Sequence, residues 1–88
     1  MTANEFTLDD LRRMLRATAG EEDASLDSDI LDVGFDELGY DSLAMLETSR
    51  CIELECGIAL ADSTVTSAET PRALLAIVNG ELAAKPAL

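Results

Sequence analysis

The residues Gly39-Tyr40-Asp41-Ser42-Leu43 decide the fold, because a glycine turn and a polar cap lead here directly into a helical pattern. Apolar side chains then recur with helical spacing over about fifteen residues. A helix that starts here places the Ser42 hydroxyl at its N-terminus, where free N–H groups and the helix dipole favour a negative group. On spacing alone, the simpler interpretation is that Asp41 or Ser42 is an N-cap, which contributes about 1 kcal/mol.

The helix predicted from residue 41 or 42 to about residue 56 has two apolar faces. At 100° per residue, one stripe lies within about 60° and should face the core. The core stripe is Met45, Ser49, Ile52 and Cys56. The nearly opposite face is Leu43, Leu46, Glu47, Arg50 and Leu54. A helix in a small domain cannot easily bury two opposed faces, so this second face is expected to bind a partner. The alternative is that the preceding loop covers its leucines.

An earlier helix is predicted to begin after Thr7. Thr7 has the position of an N-cap, and Asp10 completes an acidic variant of the capping box. Phe6 and Leu11 have the spacing of a hydrophobic staple, which fixes the direction in which the chain enters a helix. Residues 1–6 are expected to be a flexible lead.

A long connection separates these two helices. Gly20 is expected to end the first helix, and residues 21–41 then carry nine acidic residues and no basic one. Connections of this length are usually functional or internally structured. We expect its apolar residues to hold it against the helices, with one helical turn at residues 36–38. These residues are Leu26, Ile30, Leu31, Val33, Phe35 and Leu38.

The last third of the chain predicts one short and one longer helix. Gly57 ends the central helix, and residues 62–67 form a short third helix with Asp62 as its cap. Thr70-Pro71 predicts the start of the last helix, because threonine is a good cap and proline fits the first helical position. Asn79-Gly80 is expected to end or fray it, and residues 83–88 are expected to be flexible.

Three to four helices without strand-like alternation predict an all-α protein. The expected architecture is a small antiparallel three-to-four-helix bundle with a long loop between the first and second helices. The 88 residues carry no internal repeat or linker, so a single domain over residues 1–88 is expected.

The composition describes an acidic protein with an aliphatic core. Eighteen acidic against six basic residues give a net charge of −12, with no histidine and only 3% aromatic residues. Such a surface repels nucleic acid and anionic membranes and suits partners with basic patches, although acidity can also serve solubility alone. With neither an apolar stretch of about 20 residues nor a signal-peptide pattern, a cytoplasmic protein is expected.

The side chains available for chemistry argue against an enzyme. A catalytic serine needs a base, usually histidine, and Lys85 in the tail is a poor substitute. Cys51 and Cys56 diverge by roughly 140° around a helix, which disfavours a disulfide, and no further thiol or imidazole completes a zinc site. We expect two reduced thiols, one buried and one partly exposed.

The run Leu38-Gly39-Tyr40-Asp41-Ser42-Leu43 resembles the attachment motif of acyl carrier proteins. In that family the serine carries a 4′-phosphopantetheine arm, and the resemblance extends from about residue 8 to residue 82. The tyrosine before Asp-Ser, and Thr70-Pro71-Arg72 at the last helix, resemble carriers of bacterial type II (aromatic) polyketide synthases. The family fold agrees with the bundle expected above.

The resemblance implies that Ser42 is the attachment residue for covalent 4′-phosphopantetheine. A phosphopantetheinyl transferase would move the arm from coenzyme A and supply the metal ion and the base. Asp41 is expected both to cap the helix and to help recruit the metal ion of the transferase. The carrier itself would bind malonyl units and growing polyketide chains as thioesters and would not be an enzyme.

The resemblance also implies where partners and cargo make contact. Leu43, Leu46 and Glu47 are the docking candidates, and Leu43 and Arg72 are candidate contacts for a folded-back cargo chain. The expected partners are a ketosynthase with its chain-length factor, a malonyl transferase, and a ketoreductase, cyclase and other tailoring enzymes. A monomer is expected, without nucleic-acid or membrane partners.

Two other functions remain open on the sequence. A fatty acid synthase acyl carrier protein is the nearest alternative, and a peptidyl carrier is less consistent with the acidity. From a different class, the chain could be an acidic helical adaptor that binds a basic groove. Modification of Ser42 separates the carriers from the adaptor.

Overall fold

The computed structural model describes residues 5–19 and 29–84, and these ranges contain four α-helices and no strand. The helices are α1 (Leu8–Ala19), α2 (Ser42–Cys56), α3 (Asp62–Ser67) and α4 (Pro71–Ala84). The predicted all-α class is therefore confirmed. Gly20 and Leu26, for which predictions were made, lie outside the described residues, as do residues 1–4 and 85–88.

The start of α1 is the predicted capping box. The Thr7 Oγ1 accepts a hydrogen bond from the Asp10 N–H at 3.2 Å, and the Asp10 Oδ2 accepts one from the Thr7 N–H at 3.0 Å. The bond from the Thr7 N–H lowers the pKa of the Asp10 carboxyl. Phe6 and Leu11 are both buried, as the staple requires.

Asn79 joins the beginning of the described chain to α4. Its side-chain Oδ1 accepts from the Phe6 N–H at 2.7 Å, and its Nδ2 donates to the Phe6 carbonyl at 2.9 Å. Phe6 is therefore bonded and buried, contrary to the flexible lead expected for residues 1–6. Two expectations for α4 were also wrong, because the helix continues through Asn79-Gly80 to Ala84 and includes residues 83 and 84. The side-chain amide of Asn79 bonds the backbone of Phe6, and the hydrogen bonds within α4 stay intact.

Capping residues set both ends of α2. The Asp41 side chain accepts a hydrogen bond from the Ala44 N–H at 2.9 Å, which makes Asp41 the N-cap. Gly57 adopts a left-handed conformation with φ of 68°, and its N–H donates to the Glu53 carbonyl at 2.8 Å. A residue with a Cβ would be strained at this φ, so Gly57 terminates the helix.

Helices α1 and α2 run in opposite directions. The Arg13 guanidinium lies 3.5 Å from the Glu55 carboxylate near the end of α2, while the Thr18 hydroxyl lies 3.1 Å from the Thr48 hydroxyl near its middle. Moving forward along α1 thus means moving backward along α2. Helix α1 also packs against α4, and α3 packs against α2. The largest fully buried side chains are Leu11, Leu15, Ile30, Thr48, Ile52, Val65, Pro71, Leu74 and Val78.

The core face of α2 is close to the predicted stripe. Met45, Ser49 and Ile52 are buried, and Cys56 is half-buried. Thr48 is buried as well, which the pattern did not indicate; its hydroxyl donates to the Ala44 carbonyl at 2.9 Å and so avoids an unsatisfied polar group. Neither cysteine forms a disulfide, and neither is buried, since Cys51 is exposed and Cys56 half-buried, so the expectation of one buried cysteine was wrong.

The described part of the long connection is held by buried side chains and a compact turn. Ile30 and Phe35 are buried, while the Leu38 N–H donates to the Gly34 carbonyl at 3.1 Å and closes one helical turn. Gly39 then takes a φ of +89°, which favours glycine and turns the chain toward α2.

The two remaining helix starts differ in how well the sequence predicted them. Asp62 is the first residue of α3 and not its cap; the N-cap is Ala61, which makes no side-chain cap bond. Helix α4 begins as expected, with the Thr70 Oγ1 accepting from the Ala73 N–H at 3.3 Å and Pro71 in the first position. In the described ranges no helix is long and apolar enough to cross a membrane.

Candidate functional site

Ser42 is the first residue of α2 and is exposed. Among the residues that the structure describes, none forms a hydrogen bond with its hydroxyl. Asp41 satisfies the Ala44 N–H, one of the donors that a helix start leaves open. Asp41 therefore caps the helix, and the oxygen of Ser42 remains accessible.

No described residue forms a hydrogen bond with the Ser42 hydroxyl, so none is placed to act as the base that a nucleophilic serine needs. The chain has no histidine, and the ionisable side chain next to the serine is the Asp41 carboxylate, which is occupied as a cap. Without a base, the hydroxyl stays a weak nucleophile. The arrangement suits a serine that an external enzyme modifies, and it does not suit a catalytic serine.

Tyr40 anchors the turn that leads into Ser42. Its hydroxyl is buried and donates a 2.8 Å hydrogen bond to the Leu15 carbonyl of α1, and its N–H donates to the Phe35 carbonyl at 2.9 Å. From the sequence, Tyr40 was identified only as part of a motif, and its hydrogen bond to the Leu15 carbonyl was missed. The available signal was its rarity, since the chain has one tyrosine, two phenylalanines and no tryptophan.

A cleft of about 500 Å³ opens beside Ser42. It lies between the end of the long connection, the first turns of α2, and α3 with the segment that follows it. Its apolar lining is Phe35, Tyr40, Met45, Val65 and Ala68. Its polar lining is Asp32, Gly34, Asp36, Glu37, Asp41, Ser42, Thr66, Glu69 and Thr70. A group tethered to Ser42 therefore has both apolar and polar surface within reach.

The lining of this cleft is strongly acidic. Five of its side chains are carboxylates and none is basic. Just outside, the Arg72 Nε donates to the Asp32 Oδ1 at 2.8 Å and its Nη2 donates to the Oδ2 at 3.1 Å. These hydrogen bonds lower the pKa of the Asp32 carboxyl and raise that of Arg72. A free anionic ligand would be repelled here, so an anionic group is better held by a covalent bond.

Metal ligation does not explain the acidic lining. Within residues 5–19 and 29–84, no three His, Cys, Asp or Glu side chains are grouped so that they could hold a metal ion.

The docking candidates from the sequence lie on one side of α2. Leu43 is 67% exposed and Glu47 is exposed, while Leu46 is half-buried. Leu54, on the same side near the other end of the helix, is 81% exposed. The described part of the long connection therefore does not cover Leu43 or Leu54, and an apolar and acidic surface remains on α2.

The candidate cargo residues do not share the cleft with Ser42. Neither Leu43 nor Arg72 belongs to its lining. Asp41 and Ser42 both line the cleft. Arg72 lies outside this lining and bonds to Asp32, which belongs to it. Of the apolar lining, Phe35 and Met45 were predicted to pack inside, but the common cavity follows from the path of the long connection, which the sequence does not reveal.

Comparison with known proteins places this geometry in context. A family model described as "Phosphopantetheine attachment site" matches residues 9–78. The chain is 55% identical over 76 residues to the granaticin polyketide synthase acyl carrier protein of Streptomyces violaceoruber, covering 85% of this chain and 89% of the relative. It is 52% identical over 84 residues to the monensin polyketide synthase acyl carrier protein of Streptomyces virginiae, covering 96% of each chain.

Solved structures give the same result for the fold. The actinorhodin holo acyl carrier protein from S. coelicolor superposes with a TM-score of 0.85 at 43% sequence identity, covering 97% of this chain and all of the other. Both the sequence and the helical arrangement are thus shared over nearly the whole length.

Proposed function

The chain belongs to the phosphopantetheine attachment family, as an acyl carrier protein of the type II polyketide synthase kind, and from this premise we propose that Ser42 is its attachment residue. The observation that carries the proposal is the exposed Ser42 hydroxyl, which starts α2 beside the cleft without a hydrogen bond to any described residue. Asp41 supports it by capping the helix and leaving the serine free.

The protein carries acyl intermediates and is not itself an enzyme, in keeping with its relatives, which are carrier proteins. Its prosthetic group is 4′-phosphopantetheine, which when bound supplies a terminal thiol that holds acyl groups as thioesters. The residues around Ser42 fit such a group, because the serine oxygen is accessible and the cleft beside it has room for part of an arm. We propose that the cargo consists of malonyl units and growing polyketide chains.

The attachment step needs a second protein. In the proposed reaction the Ser42 oxygen bonds to the phosphorus of coenzyme A that bears the pantetheine, the bond to the other phosphate breaks, and 3′,5′-ADP leaves. The hydroxyl proton passes to a base of the phosphopantetheinyl transferase, since this chain supplies no histidine. A transferase with a basic surface suits both the acidic carrier and the anionic coenzyme A.

We assign Asp41 two roles, the helix cap that the hydrogen bond to Ala44 describes and help in recruiting the metal ion of the transferase. Asparagine also caps helices but carries no charge. The Asp41→Asn variant should therefore keep the stability of the fold while slowing arm transfer.

The protein interacts with polyketide synthase enzymes. We propose that the exposed side of α2, with Leu43, Leu46 and Glu47, is where they dock, and that the partners are a ketosynthase with its chain-length factor, a malonyl transferase, a ketoreductase and a cyclase. Charge complementarity would give such short-lived complexes speed and selectivity without a large buried area. We further propose that the protein is a monomer, which the net charge of −12 supports, and that it works in the cytoplasm, which suits two cysteines that form no disulfide.

Intact-mass analysis tests the attachment site. The purified chain is incubated with a broad-specificity phosphopantetheinyl transferase, coenzyme A and Mg²⁺, and we expect a mass increase of one arm. The increase should be absent in Ser42→Ala. The matched control is Ser63→Ala, because Ser63 is also an exposed serine at the start of a helix, and this variant should be modified like the wild type. An unmodified wild type, or modification that survives in Ser42→Ala, would contradict the proposal.

A further inference from the structure

Residues 31–35, which we call the strap, run alongside the segment that joins α3 to α4. The Arg72 N–H donates to the Leu31 carbonyl at 2.9 Å, and the Phe35 N–H donates to the Glu69 carbonyl at 2.9 Å. Between these two bonds lies the ion pair of Arg72 with Asp32. The strap is thus joined to α4 and its preceding segment by two backbone bonds and one pair of charged side chains.

The strap is fixed at its ends and lightly held between them. Ile30, just before it, and Phe35, its last residue, are buried in the core. Leu31, Val33 and Gly34 are only half-buried, and Asp32 is exposed. Segments with few buried contacts and solvent-exposed hydrogen bonds open locally at a lower cost than the core.

The strap also forms one wall of the cleft beside Ser42. Asp32, Gly34 and Phe35 of the strap line the cleft, and so do Glu69 and Thr70 of the segment bonded to it. The bonds between the strap and residues 69–72 therefore close the cleft along one edge. If the strap moves away from this edge while Phe35 stays buried, the cleft becomes longer.

We propose that the strap is a gate for the cleft and that the Arg72–Asp32 ion pair is the contact that keeps it closed. Opening the strap admits more of a group tethered to Ser42, and closing it keeps more of the group outside the cleft, where other enzymes reach it. The statement about tethered groups rests on the proposed attachment at Ser42, whereas the opening of the strap does not.

The ion pair is suited to this role because both partners are exposed. The side chains are 63% and 72% exposed, so water competes with the bidentate contact. Such a pair shifts an opening equilibrium by a small factor and does not lock it. The open and closed conformations of such a gate therefore exchange readily. A carrier that must release its cargo quickly requires this.

Amide hydrogen exchange of the unmodified chain tests the gate without an arm. The Arg72 N–H lies in the first turn of α4, where an amide has no partner within the helix, so its protection reports contact with the strap. In Asp32→Asn we expect exchange of the Arg72 and Phe35 amides to accelerate about two- to fivefold, the range that one well-formed surface ion pair allows. The Leu74 amide, bonded to the Thr70 carbonyl, should be unchanged.

A matched ion pair elsewhere provides the control. Arg13 pairs with Glu55 at 3.5 Å, and these side chains are also about half-exposed and far apart in sequence. Arg13→Gln should leave the Phe35 amide at the wild-type rate, whereas Arg72→Gln should accelerate it. If Asp32→Asn and Arg72→Gln leave the Phe35 amide unchanged, or if Arg13→Gln accelerates it equally, the proposed gate is wrong.

The second experiment loads a hexanoyl group onto the arm and measures cleavage of the thioester by hydroxylamine. Because an open strap admits more of the cargo, both Asp32→Asn and Arg72→Gln should slow cleavage, by about twofold or more. Equal rates in both variants and the wild type would overturn the gating of cargo. Opposite effects would overturn it too, since they would mean that Arg72 binds the cargo directly.

The two proposals fail in different ways. If no arm can be attached at Ser42, the proposed function fails, and amide exchange in the unmodified chain still decides whether the ion pair keeps the strap closed. If the arm attaches but exchange at Phe35 does not respond, only the gate fails.

Discussion

Replacing Tyr40 by phenylalanine tests the anchor of the turn that leads into Ser42. The hydroxyl of Tyr40 is buried and donates a 2.8 Å hydrogen bond to the Leu15 carbonyl, which lies 25 residues earlier in the chain. Phenylalanine keeps the ring and removes only this donor. A net loss of about 1 to 1.5 kcal/mol is expected for one buried hydrogen bond. In a domain of this size, that loss lowers the melting temperature by roughly 5–10 °C.

The assay is thermal and urea-induced unfolding of the wild type, Tyr40→Phe and Tyr40→Ala. Alanine also removes the buried ring, for which about 3–5 kcal/mol is expected, a large part of the stability of any small domain. The matched control is Thr66→Val, because the Thr66 hydroxyl is exposed and bonds only within its own helix. This control should stay within about 0.5 kcal/mol of the wild type.

The reasoning would be refuted if Tyr40→Phe unfolds at the wild-type temperature with the wild-type urea slope. The bond to the Leu15 carbonyl would then contribute nothing to stability, and the turn would be held by other contacts, such as the bond from the Tyr40 N–H to the Phe35 carbonyl. Chemical shifts of the Asp41 and Ser42 amides provide a second reading, since loss of the anchor should move them.

Four further predictions concern docking and stability. Glu47→Lys should slow turnover by the synthase enzymes with an unchanged melting temperature, whereas Glu81→Lys, an exposed site on α4, should not; normal turnover of the first variant would remove Glu47 from the docking surface. Gly80→Ala should raise the free energy of unfolding by about 0.5–1 kcal/mol in urea titrations, because Gly80 lies within α4 and its added Cβ meets no atom within 4 Å. The pKa of Asp10 is lowered in the folded state, so the stabilisation by its carboxylate is present above its ordinary pKa and is lost as the pH falls below about 4. The unfolding midpoints of the wild type and Asp10→Asn should therefore converge below that pH. A constant difference between them down to about pH 2 would contradict this. Asn79→Ala should cost about 1–3 kcal/mol in the same titrations, because two hydrogen bonds to the start of the chain are lost, and a neutral result would show that these bonds do not stabilise the fold.

Elements with strong local signals were predictable from the sequence. Asp41 and Gly57 marked both ends of α2, and Thr70-Pro71 marked the start of α4, because capping depends on neighbouring residues alone. The exposed side of α2 also followed from periodicity. These features required no knowledge of how the chain returns on itself.

Features that depend on distant contacts were missed or predicted wrongly. Asn79-Gly80 resembles a helix end, yet the bonds from Asn79 to Phe6 keep it within α4. The pair formed by Arg72 and Asp32 joins residues 40 positions apart, and nothing local to either residue indicates it. The cleft beside Ser42 could not be predicted for the same reason, because its walls come from two separate stretches of the chain, residues 32–45 and 65–70.

The candidate site likewise has features that the local sequence indicates and features that depend on distant contacts. The motif around Ser42 led to the proposal that it is the modified residue, and its place at a helix start indicated that it would be accessible. The anchoring by Tyr40 was not, since the Leu15 carbonyl could be located only once the packing of α1 was known. Sequence patterns thus indicate which residue reacts, while tertiary structure explains what holds it in place.

Ser42 belongs to α2 itself, and with the arm attached there as proposed, this affects how accurately a partner enzyme can position the cargo. Leu43 and Glu47 follow it by one and five residues, so they lie roughly 1.5 and 7.5 Å from it along the helix axis. A tilt of roughly 10° about Glu47 would then displace the attachment point by only about 1.3 Å. Leu54 is roughly 18 Å away, and the same tilt about that residue would displace it by about 3 Å. Enzymes that bind the N-terminal end of α2 can therefore tolerate a loose fit to the rest of the helix and still receive the acyl group in the correct position.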